Sequence, residues 1–343
     1  MMKSNTTKIV VIGIGRMGKG IALTFAYAGY PLILVDSEAR DDADFTQIQE
    51  TAIADIQTEL VFLNKIKVIK TKQIDAIGQQ IQIISHEDGR DIFGDIDFVF
   101  ETVSEILEIK KSVYSWLNNY LQDHTIVASA TSTMLADTLA EYIHKPERFL
   151  NAHWLNPAHL MPLVELSPNK KTSAKVLSTL LALLENMGKT PVVCKASPGF
   201  IVSRIQALAM NEAARMVEEG VASAEDIDKA VKMGFGIRYA TLGLLEFIDW
   251  GGGDILYHAT NYLADNIDDK RFSVPENVKN NMTNKRNGLR DGVGFYNWQD
   301  CDVTSYREER MTAFIRLLQH LSLMPQAVAS EHTPDQEAST NNG

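Results

Sequence analysis

The sequence predicts a doubly wound α/β sheet followed by an all-helical C-terminal domain. In the first half, short runs rich in Val, Ile and Phe alternate with stretches of helical periodicity, which is typical of βαβ units. Beyond residue 190 strand-like runs become scarce and the apolar spacing is helical. We predict domains at residues 1–190 and 191–325. The remaining tail, 326–343, has too few apolar residues to form a stable fold.

The first elements follow directly from the residue pattern. Lys8–Ile12 is a β-branched run that predicts a strand, Met17–Tyr27 has helical spacing, and Leu32–Val35 predicts a second strand. Glycines separate the first strand from the helix, which completes a βαβ unit. Further strands are predicted at Ile81–Ile84, Ile96–Phe100, Thr125–Ala128, Phe149–His153 and Leu163–Leu166.

The second half reads as helices. Ser197, Pro198 and Gly199 precede a long stretch of helical spacing, which is the usual composition of a helix start. The predicted helices are Phe200–Val217, Ala224–Met233, Leu244–Ala264 with an interruption at Gly251–Gly253, and Ser305–Leu321.

Composition and charge exclude several classes of function. The chain has 343 residues, which suggests two domains at roughly 150 residues each. Its 33 Lys and Arg against 44 Asp and Glu give a net charge of −11, so we expect no nucleic-acid partner.

Two distant cysteines, Cys194 and Cys301, cannot form a disulfide framework or a metal cluster, which favours the cytoplasm. No apolar run approaches the roughly 20 residues of a membrane span, so we expect no signal peptide and no membrane anchor.

A glycine-rich turn follows the first predicted strand. It matches G-x-G-x-x-G and lies between that strand and the next helix, where a Rossmann-type fold binds the pyrophosphate of a dinucleotide. Glycines let the backbone approach the ligand, and the N–H groups of the first helical turn favour its negative charge. The predicted cofactor-binding residues of this turn are Gly13, Ile14, Gly15, Arg16, Met17 and Gly18.

Asp36 ends the second strand and predicts the choice of cofactor. A carboxylate there can accept hydrogen bonds from the ribose hydroxyls of NAD and would repel the 2′-phosphate of NADP. NAD is therefore the predicted cofactor. Arg40 lies close to Asp36 in sequence and keeps NADP open as an alternative.

His153 and Glu165 come from two short strands that flank a proline-containing loop, so they can face each other across adjacent strands. A carboxylate that accepts from Nδ1 of an imidazole fixes its tautomer and leaves Nε2 free to exchange a proton with substrate. Ser132 follows another strand, at the edge of the sheet where such enzymes bind substrate. The competing interpretation is a structural histidine beside a surface carboxylate. A metal site at His153, His159 and Glu165 lacks the H-E-x-x-H spacing, so we expect no metal.

These residues together resemble the L-3-hydroxyacyl-CoA dehydrogenase family, in order along the chain from about residue 8 to 298. The positions that carry the resemblance are Gly13, Gly15, Met17, Gly18, Gly20, Ile21, Ala22, Asp36, Glu105, Lys110, Ser132, His153, Asn156, Pro157, Glu165, Pro198–Ile201 and Gly294–Tyr296.

The resemblance implies a Rossmann domain, a helical domain that dimerises, and NAD-linked interconversion of a 3-hydroxyl and a 3-keto group. His153 would be the general acid and base, Glu165 its orienting partner, and Ser132 a hydrogen-bond partner of the reacting oxygen. Residues implied to lie near the cofactor are Glu105, Lys110, Asn156 and Arg290. From the residues alone, Thr102–Glu105 also matches a capping box at a helix start, and the two roles of Glu105 are compatible.

Three departures from the family pattern concern the substrate. Ser203 stands where the family has an Asn that helps hold the substrate carbonyl, and Trp154 and Leu155 replace two phenylalanines of the pocket wall. The helix after Asp36, which holds CoA in other members, is rich in Asp and Glu here, although Lys65–Lys72 follow it. These features are similar to branches that oxidise free hydroxy-carboxylates, such as gulonate or carnitine, or a pyridine-carboxylate aldehyde.

The sequence therefore predicts an NAD-dependent dehydrogenase acting on a 3-hydroxyacyl-CoA or, preferentially, on a small free 3-hydroxy-carboxylate. An Arg or Lys deeper in the cleft would hold its carboxylate, and Arg238 is one candidate. We expect a small-molecule substrate and a homodimer formed through the helical domain. The alternatives are the aldehyde-oxidising branch and a non-catalytic NAD-binding sensor, and the presence of Ser132, His153 and Glu165 argues against the sensor.

Overall fold

The structure is a computed structural model, and it describes residues 7–267 and 270–325. The predicted loose tail, 326–343, lies outside the described residues. The chain divides into two compact units, Met1–Asn211 and Glu212–Gly343. The domain boundary at residue 190 stays a prediction.

The first unit is built on one eight-stranded sheet. Each predicted strand is present, with its bounds shifted by no more than a few residues. The strands are β1 (Ile9–Ile12), β2 (Leu32–Val35), β3 (Ile81–Ile84), β4 (Phe98–Glu101), β5 (Ile126–Ser129), β6 (Phe149–Trp154), β7 (Leu163–Pro168) and β8 (Thr190–Val193).

The strand order is β3-β2-β1-β4-β5-β6-β7-β8, which confirms the doubly wound α/β prediction. Neighbouring strands are parallel except β6 and β7, which pair in the antiparallel sense. The short loop 155–162 explains this difference from a wholly parallel sheet, because a parallel crossover needs about a dozen residues or more.

Helices cover both faces of the sheet and make up most of the second unit. Those of the first part of the chain are α1 (Arg16–Tyr27), α2 (Asp42–Lys65), α3 (Thr71–Gly78), α4 (Leu107–Leu117), α5 (Ala136–Ala140), α6 (Ala174–Asn186) and α7 (Val202–Glu218). The remainder are α8 (Ala224–Val231), α9 (Ile237–Tyr239), α10 (Leu244–Gly251), α11 (Gly253–Ile267), α12 (Glu276–Thr283) and α13 (Val303–His320).

Alternation along the strands sends successive side chains to two separate cores. On one face, apolar residues of α1, α2 and α6 pack against the strands around Phe25 and Phe100. On the other face, α4 and α5 pack around Tyr114 and Phe149. Burial of both faces explains why the central strands are continuous apolar runs rather than alternating ones.

The strand order reverses between β1 and β4, which lie side by side although β2 and β3 come between them in sequence. Chains leaving these two strands diverge, and a crevice opens beyond their carboxyl ends. Thr102, directly after β4, closes the base of that crevice by donating its hydroxyl to the carbonyl oxygen of Ile12 at 2.8 Å. The fold thus supplies a ligand site next to the glycine-rich turn.

The second unit is organised around the buried carboxylate of Asp249 on α10. It accepts hydrogen bonds from the backbone N–H groups of Phe295 and Tyr296 and from Nε1 of Trp298, each at 2.9 Å. The segment Gly294–Tyr296, one of the motifs that carry the family resemblance, is therefore a structural element of this unit. In residues 7–267 and 270–325, every helix is too short or too polar to cross a bilayer.

Candidate active site

A cleft of about 1070 Å³ lies at the carboxyl ends of the central strands, within the first unit. It brings together most of the residues singled out from sequence: Gly13, Ile14, Gly15, Arg16, Met17, Asp36, Glu105, Ser132, His153, Asn156 and Ser203. Gly18, Lys110 and Glu165 are buried behind this surface.

The glycine-rich turn has the shape that a pyrophosphate needs. Gly13 has φ +108°, a conformation that side chains disfavour, and a Cβ added to Gly18 would lie 1.8 Å from the carbonyl oxygen of Gly13. A Cβ on Gly15 would meet no atom within 4 Å, so the backbone there faces open space. Helix α1 begins at Arg16 with no side-chain cap, which leaves its first N–H groups for an anion. These residues fit a dinucleotide.

Asp36 lies at the end of β2 and is 3% exposed. One of its oxygens accepts from Nε of Arg40 at 2.8 Å, and the other accepts from the N–H of Glu38 at 3.1 Å. Arg40 also pairs with the Glu38 carboxylate at 2.8 Å. Arg40, the residue that left NADP as an alternative cofactor, is thus held between the carboxylates of Asp36 and Glu38.

His153 and Glu165 are directly opposite each other in the antiparallel ladder of β6 and β7. Nδ1 of the imidazole lies 2.8 Å from Oε2 of the carboxylate, and both side chains are buried. The ring stacks on Phe200, with centroids 5.2 Å apart. With Nδ1 donating to the carboxylate, Nε2 is the ring nitrogen available to a substrate.

Helix α7 begins against the other oxygen of Glu165. Oε1 accepts from the N–H groups of Ile201 and Val202 at 2.9 and 3.0 Å. The predicted helix start at Phe200 is early by two residues, because Phe200 itself has φ +49° and turns the chain into the helix. Ser203, in the first turn of α7, lines the cleft.

Glu105 does not cap a helix. The predicted capping box at Thr102–Glu105 is wrong, because α4 begins only at Leu107 and its N-cap residue is Ile106. The Glu105 carboxylate instead binds the loop Thr131–Thr133. It accepts from the hydroxyls of Thr131 and Thr133 and from the N–H groups of Ser132 and Thr133.

This arrangement changes the acidity of Glu105. Burial opposes ionisation, but the hydrogen bonds from Thr131 and Thr133 and the charge of Lys110 outweigh it and lower the pKa of the carboxyl below its ordinary value. Glu105 is therefore an anion at neutral pH.

Glu101 is a site residue that the sequence reasoning missed. It ends β4, is fully buried, and accepts from Nζ of Lys110 at 2.8 Å and from the hydroxyls of Tyr114 and Ser129 at 2.6 Å each. Burial together with the Glu101 charge raises the pKa of Tyr114 well above its ordinary value, so the phenol remains a donor. A carboxylate at the end of the apolar strand Phe98–Glu101 was the available signal.

Three further side chains singled out from the sequence lie as follows. The ring of Trp154 packs against Phe25 and Phe100, and Trp154 and Leu155 also belong to the lining of the cleft. Arg290, in the second unit, pairs with Asp254 at 3.1 Å, and its role near the cofactor stays a prediction. Arg238, in the same unit, lies over the ring of Phe247 at 5.0 Å, and its role towards a substrate carboxylate also stays a prediction.

Comparison with known proteins matches both parts of the chain to one family. Residues 8–197 match the model of the 3-hydroxyacyl-CoA dehydrogenase NAD binding domain, and residues 199–298 match that of the C-terminal domain of the same enzymes. Hydroxyacyl-coenzyme A dehydrogenase of Sus scrofa is 32% identical over 302 residues, which cover 85% of this chain and 91% of that protein.

Two further relatives match nearly their whole length. The 5-formyl-3-hydroxy-2-methylpyridine 4-carboxylate 5-dehydrogenase of Mesorhizobium japonicum is 28% identical over 91% of this chain and 98% of its own. The crystal structure of a 3-hydroxyacyl-CoA dehydrogenase from Archaeoglobus fulgidus superposes with a TM-score of 0.73 at 30% identity, over 93% of this chain and all of that one. The chain belongs to the 3-hydroxyacyl-CoA dehydrogenase family and is an NAD-dependent enzyme of that family.

Proposed function

We propose that this enzyme interconverts a 3-hydroxyl and a 3-keto group on a small free 3-hydroxy-carboxylate. The observation that carries the reaction type is the buried His153–Glu165 pair in the same cleft as the glycine-rich turn. A bound alcohol can there meet a general base beside the site of the dinucleotide.

In the oxidation direction His153 removes the hydroxyl proton through Nε2, while Glu165 holds Nδ1–H and stabilises the imidazolium that forms. NAD, when bound, supplies the acceptor for the hydride that leaves the carbinol carbon. Ser132 and Ser203 line the cleft and are the proposed hydrogen-bond partners of the reacting oxygen. In the reverse direction His153 returns the proton to the alkoxide.

Different groups of the cleft are proposed to bind different parts of the cofactor. The N–H groups at the start of α1 would bind the pyrophosphate, and Asp36 would accept from the adenosine ribose. Glu105 and Asn156 also line the cleft and are the proposed contacts for the remainder of the cofactor.

The preference for a substrate without CoA rests on charge. Helix α2 carries Asp42, Asp44, Glu50, Asp55 and Glu59, and its residues in the cleft lining are uncharged: Gln47, Ile48, Thr51 and Ala52. On the cleft wall, Lys19 is paired with Asp55 and Arg40 with Asp36 and Glu38, while Arg16 is a further cation there. The compensating lysines, Lys65, Lys67, Lys70 and Lys72, are exposed and do not belong to that wall. A CoA tail, which carries several phosphate charges, would find few unpaired cations here.

A second candidate substrate is a pyridine-carboxylate aldehyde. It is supported by the Mesorhizobium relative, whose name states that activity and whose length this chain covers almost fully. One panel separates the candidates: NADH absorbance with hydroxyacyl-CoA thioesters, free 3-hydroxy acids and pyridine-carboxylate aldehydes. The proposal expects the largest kcat/KM for a free 3-hydroxy acid. Absence of cofactor reduction with every class would favour the non-catalytic sensor.

We also propose a homodimer formed through the second unit. Ile255 and Tyr262 are 62% and 68% exposed and lie seven residues apart on α11, hence on one helix face. Paired apolar residues of this kind favour association. Light scattering on the purified protein should give twice the chain mass, and Tyr262→Glu should shift it towards the monomer.

A further inference from the structure

One buried lysine lies between two carboxylates behind the wall of the cleft. Lys110 is 1% exposed, and its Nζ is 2.8 Å from Oε1 of Glu101 and 3.7 Å from Oε2 of Glu105. Glu101 is fully buried and is not part of the cleft surface, whereas Glu105 is partly exposed and is. The three charges therefore form a chain from the interior of the sheet to the site.

The exposed end of this chain holds the loop that carries Ser132. Glu105 accepts from the N–H groups of Ser132 and Thr133 at 3.1 and 2.9 Å, and from the hydroxyl of Thr133 at 2.8 Å. The loop follows β5, and Ser129 at the end of that strand donates to Glu101 at 2.6 Å. Both ends of the segment from Ser129 to Thr133 are thus bound to the same charge cluster.

We propose that Glu101 and Lys110 are positioning residues for the reaction, which act through Glu105 to fix the Thr131–Thr133 loop and with it the hydroxyl of Ser132. The inference rests on the proposed function, because it assigns Ser132 to the reacting oxygen. Glu101 supplies the strong partner that keeps Lys110 at 3.7 Å from Oε2 of Glu105, so the carboxylate keeps the orientation in which Oε1 accepts the loop donors.

Removal of the Glu101 charge tests this arrangement. In Glu101→Gln the nearest remaining carboxylate for Lys110 is Glu105, whose Oε2 already faces Nζ at 3.7 Å. A closer ion pair there would turn the carboxylate and pull Oε1 away from the loop donors. The shape of the side chain is retained, and one of its two accepting oxygens is replaced by an NH2 group, so the substitution removes the charge and one acceptor with little change in packing. Lys111→Gln is the matched control, since Lys111 pairs with Glu108 on the exposed side of the same helix.

Amide hydrogen exchange gives the first readout. We expect the N–H groups of Ser132 and Thr133 to exchange about tenfold faster in Glu101→Gln, with β1 unchanged. Glu105→Ala should produce the same local effect, because it removes the acceptor itself. Lys111→Gln should leave the loop as in the wild type. Wild-type exchange of the loop in Glu101→Gln contradicts the inference, whatever the activity.

A double-mutant cycle gives the second readout. Glu101→Gln should lower kcat at saturating cofactor by about tenfold, and this loss should shrink below about twofold when Ser132→Ala is already present. If Glu101→Gln lowers kcat by the same factor in the wild type and in Ser132→Ala, Glu101 does not act through Ser132. Ser132→Ala with wild-type kcat would instead remove Ser132 from the proposed mechanism, while the exchange result still decides whether Glu101 holds the loop.

Discussion

His153 and Glu165 are hydrogen-bonded because they are ladder partners: β6 and β7 run antiparallel, and these two residues occupy opposite positions in the register. Side chains at opposite positions of an antiparallel pair lie on one face with Cβ atoms about 5 Å apart. The 2.8 Å contact is thus fixed by backbone pairing, the most rigid support that a sheet can offer.

Replacement of His153 tests the acid and base role. His153→Ala should lower kcat by about 10² to 10⁴, the usual contribution of a positioned general base, with NADH binding nearly unchanged. Glu165→Gln should also lower kcat, because an amide no longer stabilises the imidazolium. Stopped-flow turnover and NADH fluorescence titration measure the two quantities. Near wild-type turnover of His153→Ala would show that another group moves the proton.

Asp36 should set the preference for NAD over NADP. The 2′-phosphate of NADP would face a buried carboxylate, and like charges at such short range cost several kcal/mol. Asp36→Ala should therefore raise the ratio of kcat/KM for NADP to that for NAD by at least about tenfold. It also leaves Arg40 with one carboxylate partner, Glu38, instead of two, so the guanidinium can turn towards the 2′-phosphate. In Asp36→Ala/Arg40→Ala the gain should be smaller. An unchanged ratio of kcat/KM for the two cofactors would mean that Asp36 does not bind the adenosine ribose.

Because α2 is acidic, the salt dependence of kcat/KM should distinguish a CoA ester from a free hydroxy acid as the substrate. We expect kcat/KM for a free 3-hydroxy acid to exceed that for 3-hydroxybutyryl-CoA at both low and moderate salt. Efficient turnover of the CoA ester that falls steeply with added salt would indicate cations that bind its phosphates. That result would restore a 3-hydroxyacyl-CoA substrate.

Two glycines of the same turn should respond differently to alanine. Gly18→Ala should lower the free energy of unfolding by roughly 1–3 kcal/mol or more, because its Cβ would overlap the Gly13 carbonyl oxygen. Gly15→Ala has room for its Cβ and should unfold like the wild type while binding NADH more weakly. Thermal denaturation and NADH titration separate the two effects. Equal loss of stability in both variants would contradict this division of roles.

The sheet and the residues of the cleft were largely predictable, because strand runs and the glycine motif are local signals. The antiparallel pairing of β6 with β7 was harder to predict, because it depends on the length of the loop between the strands rather than on the strand sequences. Glu105 was misread as a helix cap because its partners, Thr131–Thr133, are distant in sequence. For the same reason Glu101 was missed: its partner Ser129 is brought near only by the pairing of β4 with β5.

The environment of Trp154 was only partly predictable. Its replacement of a phenylalanine of the family pattern predicted a change in the pocket wall, and Trp154 is part of the lining of the cleft. Its ring also packs against Phe25 and Phe100, and these partners are distant in sequence, so no local pattern indicates the contacts.

The ladder between β6 and β7 separates proton transfer from substrate recognition. The loop 155–162 joins the two strands but does not set the distance between His153 and Glu165. Lys189 pins this loop through the carbonyl oxygens of Ala158 and Met161, at 2.7 and 2.8 Å. We expect that segments of the same length that keep Asn156 and those two carbonyls in place can be exchanged without disturbing the acid–base pair. The loop is therefore the natural position at which to graft a new substrate preference onto unchanged chemistry.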